Sequence, residues 1–242
     1  MIRFNYQGKD FKFEEHDGGN PIRRLRSGRF YEKTMLDFIQ GLEPKYTIID
    51  VGANIGNHSV YFGALTNCKR VISIEPQPTA FKKLSKNIEN NKLEDKVLPM
   101  NIAAGEKKGT CSLYWKAEDK LGGTQTVDGD DTEMNALDNI IGNKKVSIIK
   151  MDIEGYEPSA LIGAKRILEK QDPYLFIEIW SKAEKKKIDN ILKPMGYLPV
   201  RAFNSSATYF YKKNYTYGKG LTWLWRFSKY KLSTFRIFRQ TS

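Results

Sequence analysis

The sequence predicts an open α/β fold: a seven-stranded, mostly parallel sheet with helices on both faces, ending in an antiparallel hairpin. Three observations predict it. β-Branched apolar runs recur along the chain with amphipathic stretches between them, which is the rhythm of a parallel sheet. The first run, Ile48-Ile49-Asp50-Val51, feeds directly into a glycine-rich turn and a helix. Two short alternating segments flanking Asn204-Ser205-Ser206 then close the pattern as a hairpin. Within 242 residues no Ser-, Pro- or Gly-rich linker intervenes, so one domain is expected at 46–213. An N-terminal hairpin and lead-in helix at 1–45 precede it, and a basic-aromatic tail at 214–242 follows.

Near the start, Ile2-Arg3-Phe4-Asn5-Tyr6 and Phe11-Lys12-Phe13 alternate around Gly8 as a short hairpin packed beside the sheet. Phe30, Tyr31, Met35, Leu36, Phe38 and Ile39 then fall at helical spacing and are stopped by Gly41 and Pro44. The first strand, at 48–51, is apolar enough to be covered on both faces. Gly52 and Gly56 free the backbone to turn sharply and approach a ligand, and the helix from about Asn57 aims its free N–H groups back at that turn. Val71–Ile74 is the second strand, 78–91 a helix with Phe81, Leu84 and Ile88 on one face, and Val97–Ala103 the third strand.

Residues 116–133 break the rhythm and are expected to form a solvated loop. Their acids, Asp128, Asp130, Asp131 and Glu133, lack the glycine and distal glutamate of a calcium loop. Gly122-Gly123-Thr124 either reaches over a cofactor or makes a plain turn. Val146–Asp152 is the fourth strand, followed by a helix carrying Leu161, Ile162, Ala164 and Leu168, and Tyr174–Trp180 is the fifth. Leu198–Phe203 and Thr208–Lys212 make the closing hairpin.

The spacing of the first turn narrows its ligand. It lacks both G-x-G-x-x-G and G-x-x-x-x-G-K-[ST], so neither a dinucleotide nor a P-loop site is indicated. Asp50 precedes the first glycine instead; an acid there repels phosphate and suits the ammonium and sulfonium of S-adenosylmethionine. Glu75, ending the second strand, stands where a doubly wound sheet places the acid for ribose hydroxyls. The candidate cofactor residues are Asp50, Gly52, Ala53, Asn54, Gly56, Asn57, Glu75 and Pro76, with Asn101 and Ala103 at the end of the third strand. Taken alone, the turn also reads as a ligand-free strand-to-helix connection; Glu75 weighs against that. Asp50, Glu75, Asp152, Glu154 and Glu178 all fall at carboxyl ends of strands, where open α/β sheets gather function.

Composition sets outer bounds. No cationic-then-apolar leader and no bilayer-length apolar run is present, so a cytoplasmic protein is expected. Cys68 and Cys111 have neither metal-site nor disulfide-framework spacing, and no metal site is expected. The net charge of +12 is concentrated from Arg201 onward, where nine Lys or Arg occur without one Asp or Glu.

With these residues laid out, the chain resembles the FkbM family of S-adenosylmethionine-dependent methyltransferases from about Tyr31 to Trp180. The resemblance is carried by Tyr31-Glu32, Asp50-Val51-Gly52-Ala53-Asn54-Ile55-Gly56-Asn57-His58, Glu75-Pro76, Leu137-Asp138, Lys150-Met151-Asp152-Ile153-Glu154-Gly155-Tyr156-Glu157 and Ile177-Glu178-Ile179-Trp180. Members often have His where this chain has Trp180. The resemblance implies a class I methyltransferase (Rossmann-like) fold and O-methylation of a hydroxyl on a sugar, a glycan or a natural-product scaffold.

Methyl transfer requires the reactants to be held in line, and a sugar hydroxyl needs a base within reach. Strand alternation would put Lys150, Asp152 and Glu154 on one face. Asp152 is expected as base or acceptor clamp, Glu154 as its partner and Lys150 as the charge lowering its pKa. A purely structural Lys150–Glu154 ion pair is the competing reading. His58, on the first turn of the cofactor helix, is a further candidate base.

Residues 221–239 mix Trp, Phe and Tyr with cations, and three readings compete. One is a helix lying on an anionic membrane surface, which would put the enzyme at the inner face of the membrane near a lipid-linked glycan. Another is a nucleic-acid surface, which would make the chain an RNA methyltransferase. The third is a helix packed on the body or on a second subunit.

Overall fold

The computed structural model describes residues 1–15, 19–114, 125–204 and 207–215. Gly122-Gly123-Thr124 and the 221–239 segment lie outside the described residues. The chain opens with strands β1 (Ile2–Tyr6) and β2 (Lys9–Phe13), paired antiparallel with Phe4 opposite Phe11. Alternation sends Phe11 and Phe13 inward, where Phe30 stands edge-on to Phe11 at 4.9 Å and to Tyr61 at 5.1 Å. The hairpin thus shares the main core rather than making one of its own.

Helices α1 (Asn20–Arg26) and α2 (Lys33–Gly41) follow. The predicted helix at 30–41 therefore starts late: Glu32 is left-handed, with φ 58°, and leaves Phe30 and Tyr31 before the first turn. Next come β3 (Thr47–Val51), α3 (Asn57–Leu65), β4 (Arg70–Ile74), α4 (Pro78–Asn90) and β5 (Val97–Met100). The third predicted strand ends at Met100, and Ala103 instead begins β6 (Ala103–Gly105).

Strands β6, β7 (Gly109–Tyr114) and β8 (Gln125–Ala136) form a separate three-stranded sheet. Part of the predicted solvated loop is thus strand. β8 pairs with β7 antiparallel and with β6 parallel, and among the described residues Met134, Cys111 and Ala103 form a small apolar cluster of their own there. So short an apolar stripe leaves no period-2 signal in a run of acids.

The chain continues through α5 (Leu137–Ile141), β9 (Val146–Met151), α6 (Glu157–Ile162), α7 (Lys165–Gln171), β10 (Tyr174–Glu178), α8 (Lys182–Leu192), β11 (Tyr197–Phe203) and β12 (Thr208–Lys213). The helix predicted after the fourth strand is broken at Gly163, where a Cβ would collide with the Gly105 carbonyl. Asp138 caps α7, its carboxylate accepting from Arg166 N at 2.8 Å and Ile167 N at 3.0 Å. This gives the Leu137-Asp138 motif a structural role.

The seven-stranded sheet runs β11-β12-β10-β9-β3-β4-β5. β10, β9, β3, β4 and β5 are parallel neighbours, and β12 is antiparallel to both β10 and β11. Alternation sorts the core onto two faces. Ile48, Val71, Ile148 and Phe176 face α2, α3, α4 and the N-terminal hairpin; Ile49, Val51, Ile72, Ile149, Met151, Leu175 and Ile177 face α5 to α8. Each such fully buried side chain contributes about 1.5–3 kcal/mol. No described helix is long and apolar enough to cross a membrane.

Candidate active site

The turn after β3 is fixed from below by β4. Gly52 N and Ala53 N both donate to the Ile74 carbonyl, at 2.9 and 3.0 Å, and Gly56 N donates to Ala53 O at 2.8 Å. Gly52 has φ +75°, and a Cβ there would collide with the Asp152 carbonyl; Gly56 has φ +87° and would press a Cβ into Leu84. These glycines answer to their own chain: their bare sides meet Asp152 and α4 rather than opening toward a ligand.

Glu75 closes the turn. Its carboxylate accepts from Asn54 N at 2.8 Å and Gln77 N at 2.9 Å. Burial nevertheless pushes its pKa up to about 7, against the pull of those N–H groups and of Lys150. Asn101 Nδ2 donates to the Glu75 and Pro76 carbonyls, both at 2.9 Å, so it staples β5 to the end of β4. Asn54 takes a left-handed backbone, φ 49°, and its Oδ1 is buried without a partner. Two predicted cofactor residues are occupied elsewhere. Ala103 packs against Cys111 and Met134, and Asn57 exchanges hydrogen bonds with the Tyr31 main chain at 3.0 and 3.2 Å.

The positive charge that Asp50 meets comes from the chain itself. Asp50 is fully buried, accepts from Ser59 Oγ at 2.6 Å and lies 3.3 Å from Lys150 Nζ. Lys150 also donates to Gly52 O at 3.2 Å and lies 3.8 Å from Asp152 Oδ2. Burial opposes its charge, but Asp50 and then Asp152 overcome the penalty and raise its pKa. Asp50 is therefore the buried counter-ion of Lys150 beneath the turn. That role was hidden in the sequence, because β3 and β9 become neighbours only in the sheet, with Asp50 opposite Lys150 in register.

Above this pair lies a polar cluster. Burial tends to raise the Asp152 pKa, but Lys150, a hydrogen bond with Glu178 and the proximity of His58 bring it below the usual range. Asp152 keeps 32% of its side chain accessible. His58 Nε2 lies 3.2 Å from Glu32 Oε2, with 8% and 6% of the side chains exposed. Glu32 Oε1 accepts from Asn204 Nδ2 at 2.7 Å, and that amide also reaches Thr208 Oγ1 at 3.3 Å. Tyr31 stacks on His58 with ring centroids 6.4 Å apart. Burial first, then Glu32, Glu178 and Asp152, push the Tyr31 hydroxyl up to about 12.

The expected shared face is shorter than alternation implied. β9 ends at Met151, and Glu154 lies in the following turn with φ 55°. Lys150 and Asp152 meet, while Glu154 leaves the strand's alternation. Glu157 holds that turn, accepting from Ile153 N at 2.8 Å and Gly155 N at 2.9 Å. Glu32, Glu178, Ser59 and Asn204 were not among the predicted site residues. Tyr31-Glu32 and Glu178 had a signal in the quoted motifs; Ser59 and Asn204 had none.

The comparisons agree with this geometry. The family model described as the methyltransferase FkbM domain matches residues 50–199. The chain is similar to the hexuronic acid methyltransferase AglP of Haloferax volcanii, 24% identical over 71% of each chain. It is similar also to the methyltransferase sdnD of Sordaria araneosa, 20% identical over 73% of this chain and 84% of that one. Among solved structures it resembles the methyltransferase FkbM from Methylobacillus flagellatus, with 23% identity and TM-score 0.55 over 72% of this chain; the match spans 46% of that chain. A putative rRNA methylase from Clostridium thermocellum, 14% identical with TM-score 0.51, shares the fold over 76% of this chain and 96% of its own. With the strand order, the turn and the matched residues in hand, the chain belongs to the FkbM family of methyltransferases.

Proposed function

We propose that this methyltransferase transfers a methyl group from S-adenosylmethionine to a hydroxyl of a sugar or a similarly polyhydroxylated acceptor. The observation that carries the reading is the contact between the glycine turn and Asp152. The Asp152 backbone fills the bare side of Gly52, while its partly accessible carboxylate stands beside Glu178. A donor held by the turn and a hydroxyl held by Asp152 are therefore neighbours.

The chain's residues fit the donor. Glu75 is a buried acceptor suited to ribose hydroxyls, and the unpartnered Asn54 Oδ1 offers a second acceptor beside it. When bound, S-adenosylmethionine supplies a methyl carbon already activated by sulfonium. The acceptor side offers hydrogen-bond acceptors in Asp152 and Glu178, which suits a ligand that presents several O–H donors. The lowered pKa of Asp152 favours a clamp that orients the hydroxyl. The similarity to a hexuronic acid methyltransferase supports a sugar acceptor.

The test combines calorimetry with S-adenosylmethionine and a methyl-transfer screen against UDP-glucose, UDP-glucuronic acid and lipid-linked oligosaccharides. Asp152→Asn should leave donor affinity within about twofold and lower turnover by roughly a hundredfold or more. Undiminished turnover would remove Asp152 from the mechanism, and absence of donor binding would overturn the reading as a whole.

A further inference from the structure

We propose that Glu32 and His58 form a carboxylate–imidazole dyad in which Glu32 is a positioning residue and His58 is the base that takes the acceptor's proton. This rests on the hydroxyl-methylation reading above and assigns the proton that it leaves unplaced.

The geometry supports it from several sides. His58 Nε2 is buried, lies 3.2 Å from Glu32 Oε2 and has no hydrogen bond of adequate geometry. With a carboxylate oxygen 3.2 Å away, a small rotation of the ring would bring an Nε2–H onto Glu32 and leave the lone pair on Nδ1. Glu32 is held from both ends. Its backbone is left-handed at φ 58°, an uncommon conformation for a residue with a side chain, and its other oxygen is fixed by Asn204 Nδ2 at 2.7 Å. Asn57, on the same helix turn as His58, grips the Tyr31 main chain just before Glu32. Tyr31 and Phe62 lie against the imidazole, at 6.4 and 6.3 Å between ring centroids, and Asp152 is the charged neighbour on the sheet side. Two strictly local elements, the lead-in to α2 and the first turn of α3, are thereby locked into one unit above the sheet.

The step balances. The acceptor oxygen bonds to the methyl carbon as the carbon–sulfur bond breaks, and that electron pair stays on the now neutral sulfur. The hydroxyl proton passes to His58, and Glu32 stabilises the imidazolium so formed. Asp152, already ionised and paired with Lys150, accepts a hydrogen bond from a neighbouring hydroxyl of the acceptor and so orients the reacting one.

Three measurements test the dyad. The chain has two histidines, so nitrogen-15 histidine spectra of the whole protein give His58 directly, with Asn in its place as the assignment control. The Nε2–H tautomer is expected; an Nδ1–H tautomer at neutral pH would overturn the proposal. With UDP-glucose or UDP-glucuronic acid as acceptor, whichever turns over, Glu32→Gln should lower kcat at least about tenfold with KM for the donor unchanged. His58→Ala should lose about a hundredfold or more and regain part of it with added imidazole. Glu32→Gln in the His58→Ala background should cost little further, because Glu32 acts through His58. An equal loss in both backgrounds, or no rescue, would overturn the proposal. Should the wild type bind donor and methylate no hydroxyl, the hydroxyl-methylation reading fails, and the tautomer still decides whether the dyad exists.

Discussion

Replacing Lys150 with Met isolates the buried charge beneath the active site. Lys150 has 3% of its side chain exposed and Asp50 has none, and they lie 3.3 Å apart. The hydroxyl of Ser59 satisfies one Asp50 oxygen, so Lys150→Met leaves the other, already short of a proper hydrogen bond, buried with its charge uncompensated. Breaking such a pair from one side costs about 3–5 kcal/mol. With a urea slope of roughly 2–3 kcal/mol per molar, the unfolding midpoint should fall by about 1–2 M. Adding Asp50→Asn should return stability to within about 1–2 kcal/mol of wild type, since a neutral pair carries no desolvation debt. Asp152, the third member, keeps 32% of its side chain accessible and is left hydrated. Urea titrations followed by tryptophan fluorescence measure all of this. A single-variant cost below 1 kcal/mol, or a double variant as unstable as the single, would refute the account of Lys150 as the counter-ion of the turn.

Gly52→Ala should abolish donor binding in calorimetry, because a Cβ there meets the Asp152 carbonyl and the backbone is left-handed; intact affinity would show that the turn has room to yield. Burial pushes Glu157 up to about 8 from its ordinary 4.5, so the folded state holds that proton more tightly and its contribution to stability is full below pH 4.5 and lost as pH rises toward 8. Glu157→Gln, which forfeits one of two backbone hydrogen bonds, should be less stable by about 1 kcal/mol at pH 5, with the gap closing and then reversing as pH rises toward 8; a gap constant with pH in urea titrations would contradict this. If the basic tail binds membranes, the full chain should sediment with phosphatidylserine vesicles and lose this on deletion of 221–242, whereas salt-sensitive binding to single-stranded RNA would favour the other expectation.

The elements legible in the sequence were those that bury apolar surface on a regular period. Ile48, Ile49 and Val51 announce a strand because both of its faces are covered, and Phe81, Leu84 and Ile88 announce α4 because only one of its faces is. β8 was illegible because a ribbon with acids at Asp130, Asp131 and Glu133 is held by backbone pairing to β7, and backbone pairing leaves no trace in side-chain type. The site divides along similar lines. Asp152, His58 and Glu75 could be picked out by their position after a strand or on a helix's first turn. The partners of those residues could not, since Lys150 meets Asp50 across strands and Asn204 meets Glu32 across almost the whole chain. Sequence motifs drew attention to these positions, while the division between residues that build the turn and residues left accessible required the fold.

The position of β12 has a bearing on how the protein is made. The last strand of the sheet is not at its edge: it is inserted between β10 and β11, and Asn204 just before it supplies the clamp on Glu32, 172 residues upstream. A nascent chain can assemble β3, β4, β5, β9 and β10 as soon as they emerge, but it then presents β10 as an open edge and Glu32 unrestrained. Sheet completion and alignment of the candidate base thus coincide in one late, long-range event. Assembly of the candidate site thus waits on β12, so that a chain halted before residue 208 should display a sheet with an unpaired strand and an incomplete Glu32 clamp.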